Sequence, residues 1–219
     1  MKKEVKKFGL LAFVLVLFNC STVQVANSWK DVKTPSIKEK KVLVVSKTDN
    51  DVARIQFESD LVENLNGNQI NATESFKIFP NINLTEDIDE SEIKEAKENL
   101  KSNGFDVILL TVLKNVEDYT MTTTSGGSSY YINTYPLYYG RGFRRGFYRS
   151  FNTYYVDYEP IRSVTSEGKK YILETITYDL TLPEDNQLLS VITTEIDNPE
   201  TLGVTSKDFS KKVIKELIK

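Results

Sequence analysis

The sequence predicts an α/β fold built on one mixed sheet, and three observations carry that expectation. Lys41-Val42-Leu43-Val44-Val45-Ser46 and Phe105 to Leu113 are short apolar, β-branched runs. Such runs suit strands buried on both faces, as parallel strands covered by helices must be. Segments with helical apolar spacing alternate with these runs. In the second half, Tyr171 to Leu182 and Gln187 to Ile196 are strand-like and flank Pro183-Glu184-Asp185-Asn186, a four-residue hairpin loop. Crossovers demand parallel neighbours and hairpins antiparallel ones. The expected order is therefore β-α-β-α-β-β-β-β-α, a mixed sheet of α/β (α+β) type with helices mainly on one face.

Each element has a local reason. After the first strand, Asp49, Asn50 and Asp51 supply an N-cap and negative charge at a helix start, and Ala53, Phe57, Leu61 and Leu65 recur at every fourth residue. Asn66-Gly67 is expected to stop this helix. A brief strand is placed between Gln69 and Phe79, closed by Pro80. Asp89 with Glu92 reads as a capping box, Ile93, Ala96 and Leu100 form the stripe of a second helix, and Gly104 ends it. A strand between Tyr154 and Thr165 is expected to pair with Tyr171 to Leu182 across a Ser166-Glu167-Gly168 turn. The last helix, about Ser206 to Ile218, aligns Phe209, Val213 and Leu217 on one face.

The N-terminus reads differently. Lys2, Lys3, Lys6 and Lys7 precede an apolar run from Phe8 to Phe18, which is the layout of a secretory signal peptide and is shorter than the ~20 apolar residues a transmembrane helix needs. Leu17-Phe18-Asn19-Cys20 resembles a bacterial lipobox, with Asn19 standing where a small residue is usual. The resemblance implies cleavage before Cys20 and lipid on its thiol, and Ser21 after it implies sorting to the outer membrane, facing the periplasm. Acyl chains bind membranes at about 0.8 kcal/mol per buried methylene, so two or three of them would hold firmly. The expected organisation is a signal peptide over residues 1–19, a lipidated N-terminus and tether over 20–40, and one α/β domain over 41–219.

Composition excludes much chemistry. The chain has no histidine and one cysteine, which removes histidine-based acid–base and nucleophilic systems, the common zinc sites and any internal disulfide. Removing residues 1–19 takes away four lysines and one glutamate, leaving 24 basic and 30 acidic groups and a net charge of −6. General nucleic-acid binding is disfavoured.

A segment over 119–153 departs from the rest. Thr122-Thr123-Thr124-Ser125-Gly126-Gly127-Ser128-Ser129 leads into Tyr- and Arg-rich sequence without an acidic residue between Tyr119 and Asn152. Arginine forks to phosphate or carboxylate, and tyrosine gives contact area at low entropic cost. Tyr138, Tyr139, Arg141, Arg144, Arg145, Tyr148 and Arg149 are accordingly the candidate partner-binding residues, for an envelope protein, an anionic glycan or a lipid headgroup. The bland alternative is a Gly/Tyr-rich excursion that packs its aromatics on the sheet.

Two further groups carry potential ligands or catalytic carboxylates. Asp49-Asn50-Asp51 lacks the ligand ladder and glycine of a calcium loop and reads as a cap. Glu174, Asp179, Glu195 and Asp197 lie on or beside the late strands, where a suitably spaced pair could do hydrolytic work; strand alternation alone also puts carboxylates on a solvated face. No glycine-rich phosphate loop is present, and no metal or cofactor is expected.

The pattern Lys41-Val42-Leu43-Val44-Val45, a helix with Phe57 and Leu61, Gly104-Phe105-Asp106-Val107-Ile108-Leu109-Leu110, and Tyr178-Asp179-Leu180 before a hairpin and a terminal helix resembles small α/β lipoproteins of unknown function from Gram-negative envelopes. These are similar in layout to the periplasmic domains of curli-secretion and transport-auxiliary lipoproteins. The resemblance implies an accessory or assembly role and carries no active-site residues. The expectation is a non-enzymatic, lipid-anchored envelope protein with a binding or assembly domain. The alternatives are a cell-envelope polymer hydrolase using paired carboxylates and a small-ligand binding lipoprotein.

Overall fold

The computed structural model describes residues 21–32, 36–79, 90–121, 142–143 and 166–219. The elements are β1 (Val23–Lys30), β2 (Val42–Lys47), α1 (Asp51–Gly67), β3 (Ala72–Glu74), a one-turn α2 (Ser75–Ile78), α3 (Glu90–Ser102), β4 (Val107–Met121), β5 (Ser166–Asp179), β6 (Leu188–Asp197) and α4 (Leu202–Leu217). They form a six-stranded mixed sheet in the order β1-β6-β5-β4-β2-β3. β2 runs parallel to β3 and β4, and the pairs β4–β5, β5–β6 and β1–β6 are antiparallel.

Strand alternation divides the core into two layers. Val42, Val44, Val107 and Leu109 face one side, where Leu61, Leu65, Phe209 and Val213 of α1 and α4 cover them. Leu43, Val45, Ile108 and Leu110 face the other, with Leu100 of α3, Tyr178 and Phe143. Helices α1 and α4 run in the same direction, because Asp60 accepts from Ser206 and Asn64 Nδ2 donates to Ser210 Oγ at 2.8 Å. Phe57 and Phe209 meet edge to face between them at 5.1 Å.

Several local expectations hold. Asn50 caps α1, its Oδ1 accepting from the Ala53 N–H at 3.0 Å, and α1 ends at Gly67. Gly104 follows α3 with φ +76°, a left-handed conformation that glycine takes without a Cβ penalty. The β5–β6 hairpin turns through Pro183 and a short 3₁₀ turn, Glu184–Asn186.

Two expectations need correction. The stretch expected to be a tether contributes β1, an edge strand whose odd-numbered side chains point inward. A bulge between Val25 and Asn27 then switches faces, so Val23 and Val25 join the α1/α4 layer while Trp29 joins the other. The brief strand expected between Gln69 and Phe79 is present as Ala72–Glu74 and is followed at once by α2. Ser166-Glu167-Gly168 is no turn but the start of β5, paired with β4 out to Met121↔Ser166. Beyond the core this is a two-stranded ribbon, and the Tyr119 ring fills the space that a Cβ on Gly168 would take. The Asp89 cap and the strand at Tyr154 to Thr165 lie outside the described residues.

β1 is held against α4 by polar contacts as well. Ser21 Oγ donates to Asp208, and Lys212 Nζ donates to Ser21 Oγ and to the Val23 carbonyl. Further along, Glu216 accepts from Ser28 Oγ at 2.9 Å and from Lys219. The Lys219 hydrogen bond, then that of Ser28, holds the Glu216 carboxyl below its ordinary value of 4.5. A depressed carboxyl contributes stability above its unfolded pKa that fades as pH falls through the folded one. Glu216→Gln is therefore expected to cost less than about 1 kcal/mol at pH 7, and the difference from wild type should vanish in acid. Urea titrations at neutral and acidic pH check this, and a penalty independent of pH would refute it.

Candidate functional site

The sheet has two distinct ends. Val23, Ile196, Tyr171 and Val116 are successive partners across β1, β6, β5 and β4 and mark one end. The N-termini of α1 and α4 lie there, since β2 runs toward it into α1 and β6 runs toward it into α4. Lys30, Tyr178, Gln187 and the Glu184–Asn186 turn mark the other end. Cys20 lies outside the described residues, but its chain neighbour Ser21 is fixed at the first end.

On the α3 face, the sheet changes character along its length. Ile176 and Tyr178 of β5 are buried in the apolar layer; toward the first end the same face carries Glu174, then Lys170. A bulge between Leu113 and Asn115 leaves Lys114 as the extra residue opposite β5. Burial pushes the Lys114 amine below its usual range, and the neighbouring Glu174 carboxylate pushes it back up. Glu174 is itself buried.

The late carboxylates are each drawn to a different basic or phenolic group. Asp179, with no exposed surface, forms an ion pair with Lys40 and accepts from the Thr181 N–H at 2.9 Å. Glu195 pairs with Lys170 at 3.5 Å. Asp197 accepts from the Tyr119 hydroxyl, and that bond is the main cause of the raised Tyr119 pKa. Asp179 lies at the opposite end of the sheet from Asp197. Glu174 and Glu195 share a face two rungs apart, because Glu174 opposes Thr193 and Ile172 opposes Glu195. Among the described residues no cluster of three or more potential metal ligands occurs, and no helix is long and apolar enough to cross a membrane.

The candidate partner-binding residues Tyr138, Tyr139, Arg141, Arg144, Arg145, Tyr148 and Arg149 lie outside the described residues. Two residues of the same segment are described, and they are docked. Phe143 is 1% exposed, and its ring meets Tyr178 edge to face at 5.4 Å and 76°. Its N–H donates to Gln187 Oε1 at 2.8 Å, while Gln187 Nε2 donates to the Leu182 carbonyl at 3.0 Å. A buried amide thus joins the insertion to the β5–β6 turn. A Cβ on Gly142 would come within 2.8 Å of the Glu184 carbonyl oxygen, so only glycine allows this approach. Tyr178 is seven residues along β5 from Tyr171, so this dock is about 24 Å along the sheet from the level of Val23.

Sequence reasoning missed Phe143, Gln187 and Lys114. Only the glycine before Phe143 signalled a close approach, and bulges leave no mark in the apolar pattern.

No protein-family model matches the chain, and no curated protein matches it. Among solved structures the chain is similar to the PelC dodecamer from Paraburkholderia phytofirmans, with a TM-score of 0.45 and 12% identity over 89% of this chain and 96% of that one. It is similar also to a single-substitution variant of the same dodecamer, with a TM-score of 0.44 and 11% identity over 88% of this chain and 98% of that one.

Proposed function

We propose that the protein is a non-enzymatic lipoprotein, anchored through Cys20 to the periplasmic face of the outer membrane, whose α/β domain binds or assembles an envelope partner. The observation that carries this reading is the place where the chain enters the fold. β1 starts at Val23 and Ser21 is already bonded to α4, so a lipid on Cys20 would meet a domain fixed one residue away. The unique cysteine at the end of the apolar run is thus the covalent neighbour of a residue already fixed to the domain.

The docked pair Gly142–Phe143 adds a direction. Arg141 and Arg144 are its chain neighbours, and the pair sits at the end of the sheet remote from Ser21. A partner met through the basic, aromatic segment there would be an envelope protein or an anionic glycan reached from the periplasm. Headgroups of the anchoring bilayer would lie at the other end.

The test is intact mass with membrane fractionation of the protein expressed in a Gram-negative host, wild type against Cys20→Ala. The expected result is a lipid-sized mass increase on a chain starting at Cys20, lost together with membrane association in the variant. Unmodified, soluble wild-type protein would overturn the reading.

A further inference from the structure

Exposed large apolar side chains lie at both ends of the sheet, Val32 and Ile218 at one and four on helix starts at the end where Ser21 is fixed. Val52 and Ile55, in the first turns of α1, are 68% and 47% exposed, and Leu202 and Val204, in the first turn of α4, are 36% and 53% exposed. None belongs to the stripe that packs its helix on the sheet, which uses Leu61, Leu65, Phe209 and Val213.

Helix geometry places these residues beyond the point where the chain departs. Ser21 bonds to Asp208, and Leu202 lies six residues earlier on α4, about 9 Å further out along the axis. α1 runs alongside with Asp60 at the level of Ser206, so Val52 stands about 12 Å beyond that level. The two helix starts therefore project past the level of Ser21.

We infer that Val52, Ile55, Leu202 and Val204 form a bilayer-contact surface, by which the lipid-anchored domain sits with the starts of α1 and α4 seated in the membrane interface. The inference rests on the lipid-anchor reading. It commits to the anchoring bilayer as occupant because Cys20, the residue that would carry the lipid, is the covalent neighbour of Ser21, which is fixed at this end. The contact is apolar rather than electrostatic: the exposed charges nearby include Asp49, Asp51 and Glu200, which anionic headgroups would repel. Contact should therefore be as strong on zwitterionic phosphatidylcholine as on a mixture with phosphatidylglycerol. An orientation held at two helix starts as well as by acyl chains also fixes which end of the sheet faces away from the membrane.

The experiment uses full-length protein purified with its lipid, checked by intact mass, and reconstituted into phosphatidylcholine vesicles with or without brominated acyl chains. A second cysteine is placed at Val52, at Val204, or at Ile218 on the opposite end, and labelled with an environment-sensitive fluorophore; lipidated Cys20 does not react. Labels at 52 and 204 are expected to lose at least about half their emission to the brominated lipid, as for groups seated ~5–10 Å into the interface. The label at 218 should be unaffected. Lipidated protein whose labels at 52 and 204 behave like that at 218 overturns the inference and leaves the anchor standing. Protection of 52 and 204 from aqueous iodide without quenching by brominated lipid overturns it in favour of a protein contact. Absence of the lipid mass overturns anchor and inference together.

Discussion

Glu58→Ala is expected to lower the stability of the domain by about 3–5 kcal/mol, the usual cost of removing one partner from a buried ion pair. Glu58 has no exposed surface and Arg54, one helical turn earlier on α1, is 6% exposed. Glu58 Oε1 accepts from the Ser46 N–H at 3.0 Å, Arg54 Nε at 3.2 Å and Ser75 Oγ at 2.7 Å, while Oε2 accepts from the Phe76 N–H at 3.0 Å. Arg54 Nη2 in turn donates to Ser75 Oγ at 2.9 Å. One carboxylate thus joins the end of β2, helix α1 and the start of α2, and alanine would leave a buried guanidinium and several buried donors without it. Small domains have only ~5–15 kcal/mol in total. Urea unfolding followed by the fluorescence of Trp29, the single tryptophan, measures the loss. The double variant Arg54→Leu/Glu58→Leu should recover most of it, because an apolar pair removes the orphaned charge. A loss below about 1 kcal/mol in Glu58→Ala would contradict the account. The network also holds the start of α1, where Val52 and Ile55 are exposed, so a partial loss should loosen that end first.

This network was only partly legible in the sequence. β2, α1 and the first half of β4 announce themselves because their apolar residues follow one period and one face throughout: Val42 and Val44 against one helix layer, Leu43 and Val45 against the other. β1 has the same information in weaker form. Val23, Val25 and Trp29 alternate with polar residues, but the bulge sends Trp29 to the opposite layer, so no single face carries the apolar pattern. The ribbon from Glu117 to Met121 was invisible for a plainer reason: it lies beyond the core, so charged residues such as Asp118 and Lys169 pair across it at 3.2 Å and no apolar pattern is required. Glu58 fell on the buried side of α1 among Leu61 and Leu65, where a charge looks like an exception to the stripe until its partners from β2 and α2 are placed. For the candidate site, Cys20 stood out because it is unique and follows the apolar run. The role of Phe143 did not, because Phe147 and Phe151 share its surroundings and local sequence does not distinguish the docked ring.

Phe143→Ala is expected to cost about 3–5 kcal/mol, the range for deleting a fully buried phenylalanine. The loss has two sources. The ring is buried in the apolar cluster that includes Tyr178, Leu180 and Leu188, on the sheet face opposite α1 and α4, and its edge-to-face contact with Tyr178 would go with it. Tyr178 is fully buried with a hydroxyl that has no hydrogen-bond partner among the described residues, and burial holds its pKa far above the ordinary phenol value. Opening this site would admit water to that hydroxyl and recover part of the loss, which places the expected value nearer 3 than 5 kcal/mol. The same substitution should release the insertion between Met121 and Ser166, whose arginines are trypsin sites. Faster cleavage at those arginines, with β5 and β6 still protected, is the expected companion of the lower urea midpoint. Gly142→Ala acts from the other side by driving a Cβ into Glu184, and should release the segment while leaving the Phe143 ring intact. If the basic, aromatic segment engages its partner from the docked state, both variants should weaken partner binding while leaving lipidation at Cys20 and membrane association unchanged. Unaltered midpoint and unaltered trypsin cleavage in Phe143→Ala would show that the ring holds nothing in place, and the direction assigned to the segment would fall with it.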